Sequence, residues 1–479
     1  MRAGLEWSHA LLSPAEQAAF RRLAVLHGCG SLDLVQALLD DDSTDRWTLL
    51  DTLGALVDRS LVAAEGEPPR YRLLESPRAL ALERLSAAGE VGALRARHGR
   101  AMAALMQRAF DDQRTRVVEV GFERALPRLD SAVARAAFAW GCAHDANAAA
   151  AVAATLLLAL PGLRERLAIC EAVEPLLGDA VAESLRARVW LEGAGALRLR
   201  RSRSAMSWVR QALAHYEHSG EPAGLLLALA EYVQCARRER TLGDAEAEAL
   251  LTRLQALEQQ HELPPQIAAR GVRAATLLLR HLGRPADEAV RNQQRAIAFE
   301  TAAGEPYRMA SVNYTNLLTE LGRADDALAF GVPLLERLQG TRHVWGLDLL
   351  QANLTAAWLA LGRVPEARAL AHAAWSQRAL VDSQPSWADH LAWLAGLDGR
   401  PRDAARLVGH ADALYALRRH TRQGVELHSH AQALSLAGKA LGHAEVERLR
   451  AEGAALDDDA AERVAFADKE EKRARPGRT

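Results

Sequence analysis

The amino-acid sequence predicts an all-α protein in which a small domain with one β-hairpin precedes an α-solenoid. Aromatic residues make up only 5% of the 479 residues, whereas Ala, Leu, Arg and Glu, which lose little side-chain entropy in a helix, dominate long stretches. Near the N-terminus, three short helical patterns are followed by two extended runs. Farther along, a glycine-containing turn recurs after an apolar helix at a nearly constant interval. These observations together define the fold class.

The first helix after the extreme N-terminus has a clear start signal. Ser13 is a favoured N-cap residue, Pro14 occupies the first helical position, and Glu16 stands three residues after the cap. This is the pattern of a capping box with proline at the first helical position. The helical period continues to the glycine-rich run at 28–30, where we expect the helix to end.

The rest of the small domain alternates short helices with a hairpin. Two extended runs flank a turn rich in Gly and Pro, which predicts a β-hairpin. Three helices followed by a hairpin form the pattern of a winged-helix domain. The predicted elements after the first helix are helices over 31–39 and 49–57, extended runs over 60–64 and 70–74, and a closing helix over 77–88.

A repeat of two helices occupies most of the chain. The turn glycines are separated by 40, 39, 40 and 37 residues and lie at Gly243, Gly283, Gly322, Gly362 and Gly399. Small residues follow five positions after the last three, at Ala327, Ala367 and Ala404. The copy from Asn353 to Ala374 has the spacing of small and large residues typical of a tetratricopeptide repeat. A period near 40 predicts an α-solenoid in which each helix pair packs on the next.

The predicted organisation has four parts. We expect a winged-helix domain over 1–90, a helical connector over 91–180 and a tetratricopeptide-like α-solenoid over 181–456. The final stretch, 457–479, is rich in charge and poor in apolar residues, so we expect a disordered tail there.

Composition excludes several classes of protein. The formal charge of −2 gives no chain-wide basic field for a nucleic-acid backbone. The four cysteines are far apart, which excludes a disulfide framework or a zinc site of common spacing. No apolar stretch reaches the length that spans a bilayer: the longest, 148–160, stops at a Pro-Gly pair. We therefore expect a cytoplasmic chain with no membrane partner.

Histidine, cysteine and tryptophan residues could be mistaken for sites. His428 and His430 with nearby His410 and His420 are more simply solvated or locally bonded histidines than a metal cluster, because residues two apart point to different faces of a helix. The cysteines lack a visible histidine partner, which favours buried thiols over a catalytic nucleophile. Six tryptophans of the repeat region are more simply core residues than a ligand cage. They are Trp208, Trp345, Trp358, Trp375, Trp387 and Trp393.

Both ends of the chain carry motifs of a known family. The motifs are Trp7-Ser8-His9-Ala10-Leu11-Leu12-Ser13-Pro14-Ala15-Glu16-Gln17, Leu53-x-x-Leu56-Val57-Asp58-Arg59-Ser60-Leu61-Val62, Tyr71-Arg72-Leu73-Leu74-Glu75-Ser76, Gly399-Arg400-x-x-x-Ala404-Ala405-Arg406-Leu407-Val408-Gly409 and Glu452-Gly453-x-Ala455-Leu456. In these segments the sequence resembles the predicted-ATPase transcriptional regulators of the STAND class, the signal transduction ATPases with numerous domains. The likeness is specific at both ends and loose between them.

The resemblance implies a domain order. Members carry an effector or DNA-binding domain, a P-loop ATPase, a winged helix and a tetratricopeptide-like sensor, and this sequence starts at the winged helix. A P-loop requires G-x-x-x-x-G-K-[ST], but the only lysines are Lys439, Lys469 and Lys472, and Ala440 follows the first of them. We therefore expect no ATPase activity. Whether the chain is a fragment, a split-gene partner or a complete protein stays open.

The charge pattern opposes DNA binding by the winged helix. Six aspartates and only two arginines lie between residues 40 and 60, so the third helix would present an acidic surface to phosphates. In the family that the sequence resembles, this domain relays between ATPase and sensor. We expect interdomain packing, with no direct nucleic-acid partner.

The remaining candidate site is the face formed by the first helix of each repeat. Counting back from the turn glycines places six polar or aromatic residues there, and paired arginines beside an asparagine suit an anionic peptide or small effector. The candidates are Arg273, Arg280, Asn316, Thr319, Asp389 and Trp393. We predict no catalytic, cofactor or metal residues.

The sequence thus favours a non-enzymatic regulatory chain that binds a protein or small-molecule effector through its solenoid. A candidate partner is an ATPase domain encoded upstream. The alternative is a free-standing tetratricopeptide adaptor unrelated to transcription. The effector, the oligomeric state and any target genes cannot be read from the sequence.

Overall fold

The structure, a computed structural model, describes most of the chain and is almost entirely helical. The described residues are 2–39, 46–115, 131–160, 162–200, 202–304, 309–339, 344–375, 384–417, 422 and 424–467. They confirm the all-α fold class, with a small winged-helix domain followed by tetratricopeptide-like helix pairs. The chain divides into two compact units, Met1–Ala274 and Ala275–Thr479. No helix within the described ranges is both long and apolar enough to cross a membrane.

The first unit begins with the winged-helix domain. The predicted capping box is present: the Glu16 backbone amide donates to the Ser13 hydroxyl, and the Glu16 carboxylate accepts from the Ser13 amide. The domain's elements are α1 (Arg2–Ala10), α2 (Pro14–Leu23), β1 (Gly30–Ser31), α3 (Leu32–Leu39), α4 (Arg46–Asp58), β2 (Val62–Glu65), β3 (Arg70–Leu73) and α5 (Glu75–Ala87).

The sheet of this domain has three strands where the sequence predicted a two-stranded hairpin. Strands β2 and β3 pair antiparallel with Val62 opposite Leu73, and β1 pairs with the other edge of β3 with Gly30 opposite Tyr71. A two-residue strand is too short to show an alternating pattern, so no pattern of residues indicated β1. Phe20 is fully enclosed in the domain's core.

In the described part of the first unit, nine further helices begin. They are α6 (Val91–Thr115), α7 (Ser131–His144), α8 (Ala146–Ala159), α9 (Leu163–Val173), α10 (Glu183–Leu199), α11 (Ser204–Ser219), α12 (Pro222–Glu239), α13 (Asp244–Gln260) and α14 (Pro265–His281). The Ala-rich α8 is the centre of this packing and contacts α6, α7, α9 and α10. Its residues are almost all buried because alanine lets neighbouring helices approach closely. The boundaries predicted at 90 and 180 stay predictions.

The second unit repeats one packing rule. Nearly every helix contacts the next, and the first helix of a pair also contacts the first helix of the following pair. This is the arrangement of an α-solenoid. The helices are α15 (Ala286–Ala302), α16 (Met309–Glu320), α17 (Ala324–Leu338), α18 (Val344–Ala360), α19 (Val364–Trp375), α20 (Gln384–Leu397), α21 (Pro401–Leu417), α22 (Gly424–Leu441), α23 (His443–Ala454) and α24 (Asp458–Ala465).

The recurring glycines end helices as predicted, with one exception. Gly283, Gly322, Gly362 and Gly399 all adopt a positive φ, and at each the following residue donates its amide to the carbonyl five residues earlier. This is the Schellman motif, which favours glycine. Gly243 is different because Arg240 takes the left-handed conformation there, with φ 58°. The predicted frame is therefore three residues out of register at that turn.

The prediction of a disordered tail from Asp457 is wrong for its first part. The Asp457 carboxylate accepts the Ala460 amide and caps α24. Ala461 and Ala465 of that helix are buried in the core of the second unit. These two alanines lie one helical turn apart among charged residues, so the sequence showed no clear apolar pattern there. Residues 468–479 lie outside the described part.

Candidate functional site

The predicted binding face of the second unit is covered by a helix of the same unit. We use the term A helices for the first helices of the pairs. They are α10 and α12 in the first unit, α14, which begins in the first unit and ends in the second, and α16, α18, α20 and α22 in the second. Helix α22 packs on α16, α18 and α20. Its first residue, Gly424, lies against Glu320 at the end of α16: a Cβ on Gly424 would stand 2.7 Å from a carboxylate oxygen.

Asp389 is the centre of a buried ionic cluster beneath α22. Its carboxylate is fully buried, and Arg422 Nε lies 2.9 Å from each of its two oxygens. His430 Nδ1 of α22 lies 3.4 Å from Asp389 Oδ1. Burial raises the pKa of Asp389, and the neighbouring His430 and Arg422 act in the opposite direction.

Arg422 also contacts two residues of α21. Its Nη2 lies 2.9 Å from Asp412 Oδ1, and its guanidinium carbon stands 4.3 Å from the centre of the Tyr415 ring. Asp412 is shared, because Arg450 of α23 donates to its other oxygen at 2.7 Å. Two carboxylates and an aromatic face therefore surround one guanidinium.

Two further contacts join α20 to α22. His390 Nδ1 lies 2.9 Å from the Ser429 hydroxyl, and both side chains are buried. Burial lowers the pKa of His390 to about 4. Trp393 meets the ring of His428 edge to face, with 5.2 Å between centroids. Because Asp389 and Trp393 are buried by α22, the prediction that they line an open face is wrong.

The other predicted site residues are less enclosed. Arg280 forms an ion pair with Glu320, and Thr319 Oγ1 donates to the carbonyl of Thr315. Asn316 is half-buried, and its Oδ1 has no hydrogen-bond partner in the described part of the chain. Arg273 belongs to the first unit and lies half-buried on α14. Of the six candidates, Asp389 and Trp393 contact residues of α22. Arg280 pairs with Glu320, which lies against Gly424, and sequence counting missed Arg422.

The A helices of the first unit carry their own polar network. Arg198 of α10 donates to Glu231 of α12 at 2.6 Å, and Arg166 Nη2 of α9 donates to the carbonyl of Glu192 at 3.3 Å. Both glutamates are buried. A buried ion pair such as Arg198–Glu231 is costly to break, so it holds α10 and α12 together.

A cavity of about 660 Å³ lies beside α21 and is lined by both apolar and acidic residues. Its size is in the range of small-molecule and side-chain pockets. The buried His410 lies at its wall, with Nδ1 3.1 Å from the carbonyl of Leu456. The lining residues are His410, Ala413, Leu414, Leu417, Ala454, Leu456, Asp457, Asp458 and Asp459.

The tryptophans of the repeat region and the possible metal ligands can be located in the structure. The described residues contain no group of His, Cys, Asp and Glu that could hold a metal ion. Trp208, Trp375, Trp387 and Trp393 are core residues, and Trp358 is partly buried against the core. The side chain of Trp345 and all of His420 lie outside the described part.

The four cysteines divide into two groups. Cys170 and Cys235 are buried, and burial raises the pKa of each thiol to about 12. A thiol with so high a pKa holds little nucleophilic thiolate at neutral pH. Cys29 and Cys142 are half-exposed, so the prediction that every cysteine is buried is wrong for these two.

The winged helix shows only part of its predicted acidic surface. Asp51 and Asp58 lie on α4, whereas the aspartates at 40, 41, 42 and 45 fall outside the described residues. Trp47 at the start of α4 is largely exposed.

A comparison with known protein families gave no match. Among curated proteins, a Mycobacterium tuberculosis protein provisionally named as an HTH-type transcriptional regulator is 42% identical over 145 residues, which are 29% of this chain and 16% of the relative. A second protein of that organism, named only as uncharacterized, is 43% identical over 99 residues, or 20% of this chain and 25% of the relative. This chain therefore spans about a sixth of the first relative.

Among solved structures, the chain is similar to a STAND protein with a tetratricopeptide repeat sensor from Pyrococcus horikoshii. The TM-score is 0.48 at 12% sequence identity, and the match covers 93% of this chain and 66% of the other.

Proposed function

We propose that this chain is the regulatory and sensor portion of a STAND-type transcriptional regulator and binds a protein or small effector through its tetratricopeptide-like helices. The observation that carries the proposal is the 42% identity over 145 residues to a mycobacterial protein named as an HTH-type transcriptional regulator. The winged-helix and terminal motifs of the sequence support the same class. Both the effector and the link to transcription belong to the proposal.

The polar residues on the A helices support the binding role. Arg270 on α14 is partly exposed, and charged side chains on such a face give directional recognition of a ligand. Arg280 and Thr319 provide the corresponding groups in the second unit.

The test is to expose the purified chain to a bacterial metabolite extract and to soluble protein fractions, with hydrogen exchange as the readout. The expected result is that one fraction protects amides in A helices, and that Arg280→Ala or Thr319→Ala weakens this protection while Arg402→Ala on the exposed side of α21 does not. If no fraction changes exchange in any A helix, the sensor role is wrong.

A non-enzymatic role predicts that the chain does not bind nucleotide. Lys439 is followed by Ala440, and Ala433 stands where the first P-loop glycine is required. Calorimetry with ATP and Mg²⁺ should therefore show no binding at micromolar concentrations. Duplex DNA should bind only at the non-specific level, with a Kd of ~10⁻⁴ M or weaker at physiological salt. A sequence-dependent gel shift at nanomolar protein would contradict the relay role of the winged helix.

The alternative function is a free-standing tetratricopeptide adaptor unrelated to transcription. The two proposals differ in what precedes the first codon. A P-loop encoded immediately upstream, in any frame, favours the regulator, and its absence favours the adaptor.

A further inference from the structure

The buried His410 has one ring nitrogen without a hydrogen-bond partner in the described part of the chain. The residue is only 4% exposed, and its Nδ1 lies 3.1 Å from the carbonyl oxygen of Leu456. Because a carbonyl oxygen only accepts, Nδ1 carries a proton. Burial lowers the pKa of His410, so the ring is neutral near pH 7 and its other nitrogen, Nε2, is an acceptor. His410 lines the 660 Å³ cavity beside α21.

The start of α24 places a second acceptor opposite Nε2. Asp458 Oδ1 lies 3.7 Å from His410 Nε2, which is too long for a hydrogen bond. A carboxylate and an unprotonated ring nitrogen both accept, so the two atoms need a donor between them. Helix capping explains Asp457, whose Oδ1 accepts the Ala460 amide, but it leaves Nε2 of His410 without a donor.

Two kinds of wall define what fits the cavity. Three consecutive aspartates, 457–459, form the acidic side, so a cation is the donor that matches it. The other side is apolar, and its leucines include Leu417, which is 80% exposed. An aliphatic chain laid there removes leucine surface from water. The apolar lining residues are Ala413, Leu414, Leu417, Ala454 and Leu456.

An ammonium group fits the space between the two acceptors. Charge-assisted hydrogen bonds from an ammonium nitrogen are about 2.8 Å long, and a single nitrogen can lie at that distance from two atoms that are 3.7 Å apart. A trimethylammonium group has no N–H to donate, and no aromatic ring is among the described lining residues to hold it by cation–π attraction. The geometry therefore favours an ammonium group that carries N–H bonds.

We propose that this cavity is a binding site for an aliphatic primary amine, whose ammonium group donates to His410 Nε2 and Asp458 and whose carbon chain lies on Leu417. A volume of about 660 Å³ is that of a small-molecule pocket. The site is formed by α21, α24 and the segment between α23 and α24, not by the A helices. The inference therefore goes beyond the proposed sensor role, and the extract experiment, which reads exchange in the A helices, tests that role separately.

The first experiment reads the protonation of His410 directly in the unmodified chain. Nitrogen NMR of the histidine-labelled protein at neutral pH should show a ring that is protonated at Nδ1 and bare at Nε2, and added n-hexylammonium should shift the Nε2 resonance. His410→Asn identifies this resonance by its loss. A proton on Nε2 at neutral pH, or an Nε2 resonance that n-hexylammonium leaves unchanged, overturns the assignment of the site.

The second experiment compares ligands by calorimetry on the full chain. n-Hexylammonium should bind about tenfold tighter than trimethylhexylammonium, which lacks the N–H donors, and about tenfold tighter than 1-hexanol, which lacks the charge. Each methylene group between n-butylammonium and n-hexylammonium should raise the affinity by up to about fourfold, because it lies on the apolar wall. Absence of n-hexylammonium binding, or equal binding of the primary, methylated and neutral ligands, overturns the proposal.

Matched variants test whether the binding takes place in this cavity. In His410→Asn the amide can still donate to Leu456 but offers no acceptor in place of Nε2, and Asp458→Asn removes the charge; each change should weaken n-hexylammonium binding about tenfold. Asp325→Asn, at an exposed carboxylate on α17, should bind like the unmodified chain. If His410→Asn does not fold, Leu417→Ser at its exposed position should lose the preference for n-hexylammonium over n-butylammonium. Undiminished binding in Asp458→Asn overturns the site.

Discussion

Arg400 closes the last described helix of the chain by donating from Nη2 to the carbonyl of Ala465 at 2.7 Å. Its Nη1 donates to the carbonyl of Val464 at 2.8 Å. The last carbonyls of a helix have no partner within it, so a buried guanidinium satisfies two of them at once. The same side chain lies 3.3 Å from carboxylate oxygens of Asp398 and Asp403. Arg400 thus joins the turn after α20 to α24.

Replacing Arg400 by methionine should detach α24 and destabilise the second unit. The change leaves the buried Asp403 without this partner and the α24 carbonyls unpaired, and the expected loss is about 3–5 kcal/mol. Urea unfolding measures the loss, and hydrogen exchange of residues 458–465 measures the detachment. Arg402→Met is the matched control, because Arg402 is exposed and pairs with Glu445 at the surface. Retained protection of 458–465 in Arg400→Met would show that α24 is held by its apolar contacts alone.

Helices α21 and α23 touch through two glycines. A Cβ on Gly453 would stand 1.8 Å from the carbonyl oxygen of Arg406, and a Cβ on Gly409 would stand 2.0 Å from that of Arg450. Backbone atoms cannot move aside without moving the helix. Gly453→Ala should therefore separate the pair and lower stability by ~1–3 kcal/mol, the usual range for overpacking, or more.

The control for this variant is Gly438→Ala on α22. A Cβ there meets nothing within 4 Å, so the gain in helix propensity should stabilise the chain by about 0.5–1 kcal/mol. Chemical denaturation should show a lower free energy of unfolding for Gly453→Ala and a higher one for Gly438→Ala. A loss of the same size in both would mean that the destabilisation is not specific to the crossing.

The sequence predicted features that depend on a few neighbouring residues. The capping box at Ser13, the hairpin strands and the left-handed glycines at four turns all follow from local backbone chemistry, and the structure contains them. Ala327, Ala367 and Ala404 are fully buried as their spacing indicated. Gly243 shows the limit of this reasoning, because Arg240 took the position that glycine usually occupies.

The candidate site could be predicted only in part, because it depends on how helices cross. Counting along each A helix identified Asp389 and Trp393, but not the packing of α22 onto α16, α18 and α20. Arg422 lies between two helices and has no periodic pattern, so nothing in the sequence marked it as the partner of Asp389. Arg400 was part of the turn motif, yet its target carbonyls are 64 and 65 residues away.

A substitution at Ala367 tests the predicted repeat frame. It is fully buried on α19, where that helix packs on α18. Ala367→Leu should overpack this contact at a cost of ~1–3 kcal/mol, and thermal unfolding should shift down or separate into two transitions because each pair depends on its neighbours. The winged-helix domain should keep its hydrogen-exchange protection. The control is Ala369→Leu, on the exposed side of the same helix, which should leave the melting curve almost unchanged. If both variants have the same melting temperature, the predicted repeat frame is out of register.

His390 should make the second unit sensitive to acid. Its folded-state pKa of about 4 lies below the unfolded value of about 6.5, so between these values the unfolded chain binds more protons than the folded chain. Stability is therefore complete above pH 6.5 and falls as the pH decreases towards 4. Because one pH unit corresponds to about 1.4 kcal/mol, the loss from this residue reaches ~3 kcal/mol.

The measurement is urea unfolding of the chain at a series of pH values from 7 to 4, compared with His390→Gln. Glutamine can keep a hydrogen bond to Ser429 but does not titrate, so the variant should be less stable near neutral pH and should show a shallower fall on acidification. His428→Gln is the control, since His428 is also on α22 but is exposed. If the pH dependence of His390→Gln parallels that of the unmodified chain, His390 does not stay neutral in the folded state. The acid sensitivity must then come from other groups, such as the buried His410 and His98. Burial lowers the pKa of both histidines, and that of His98, in the first unit, is lowered to about 4.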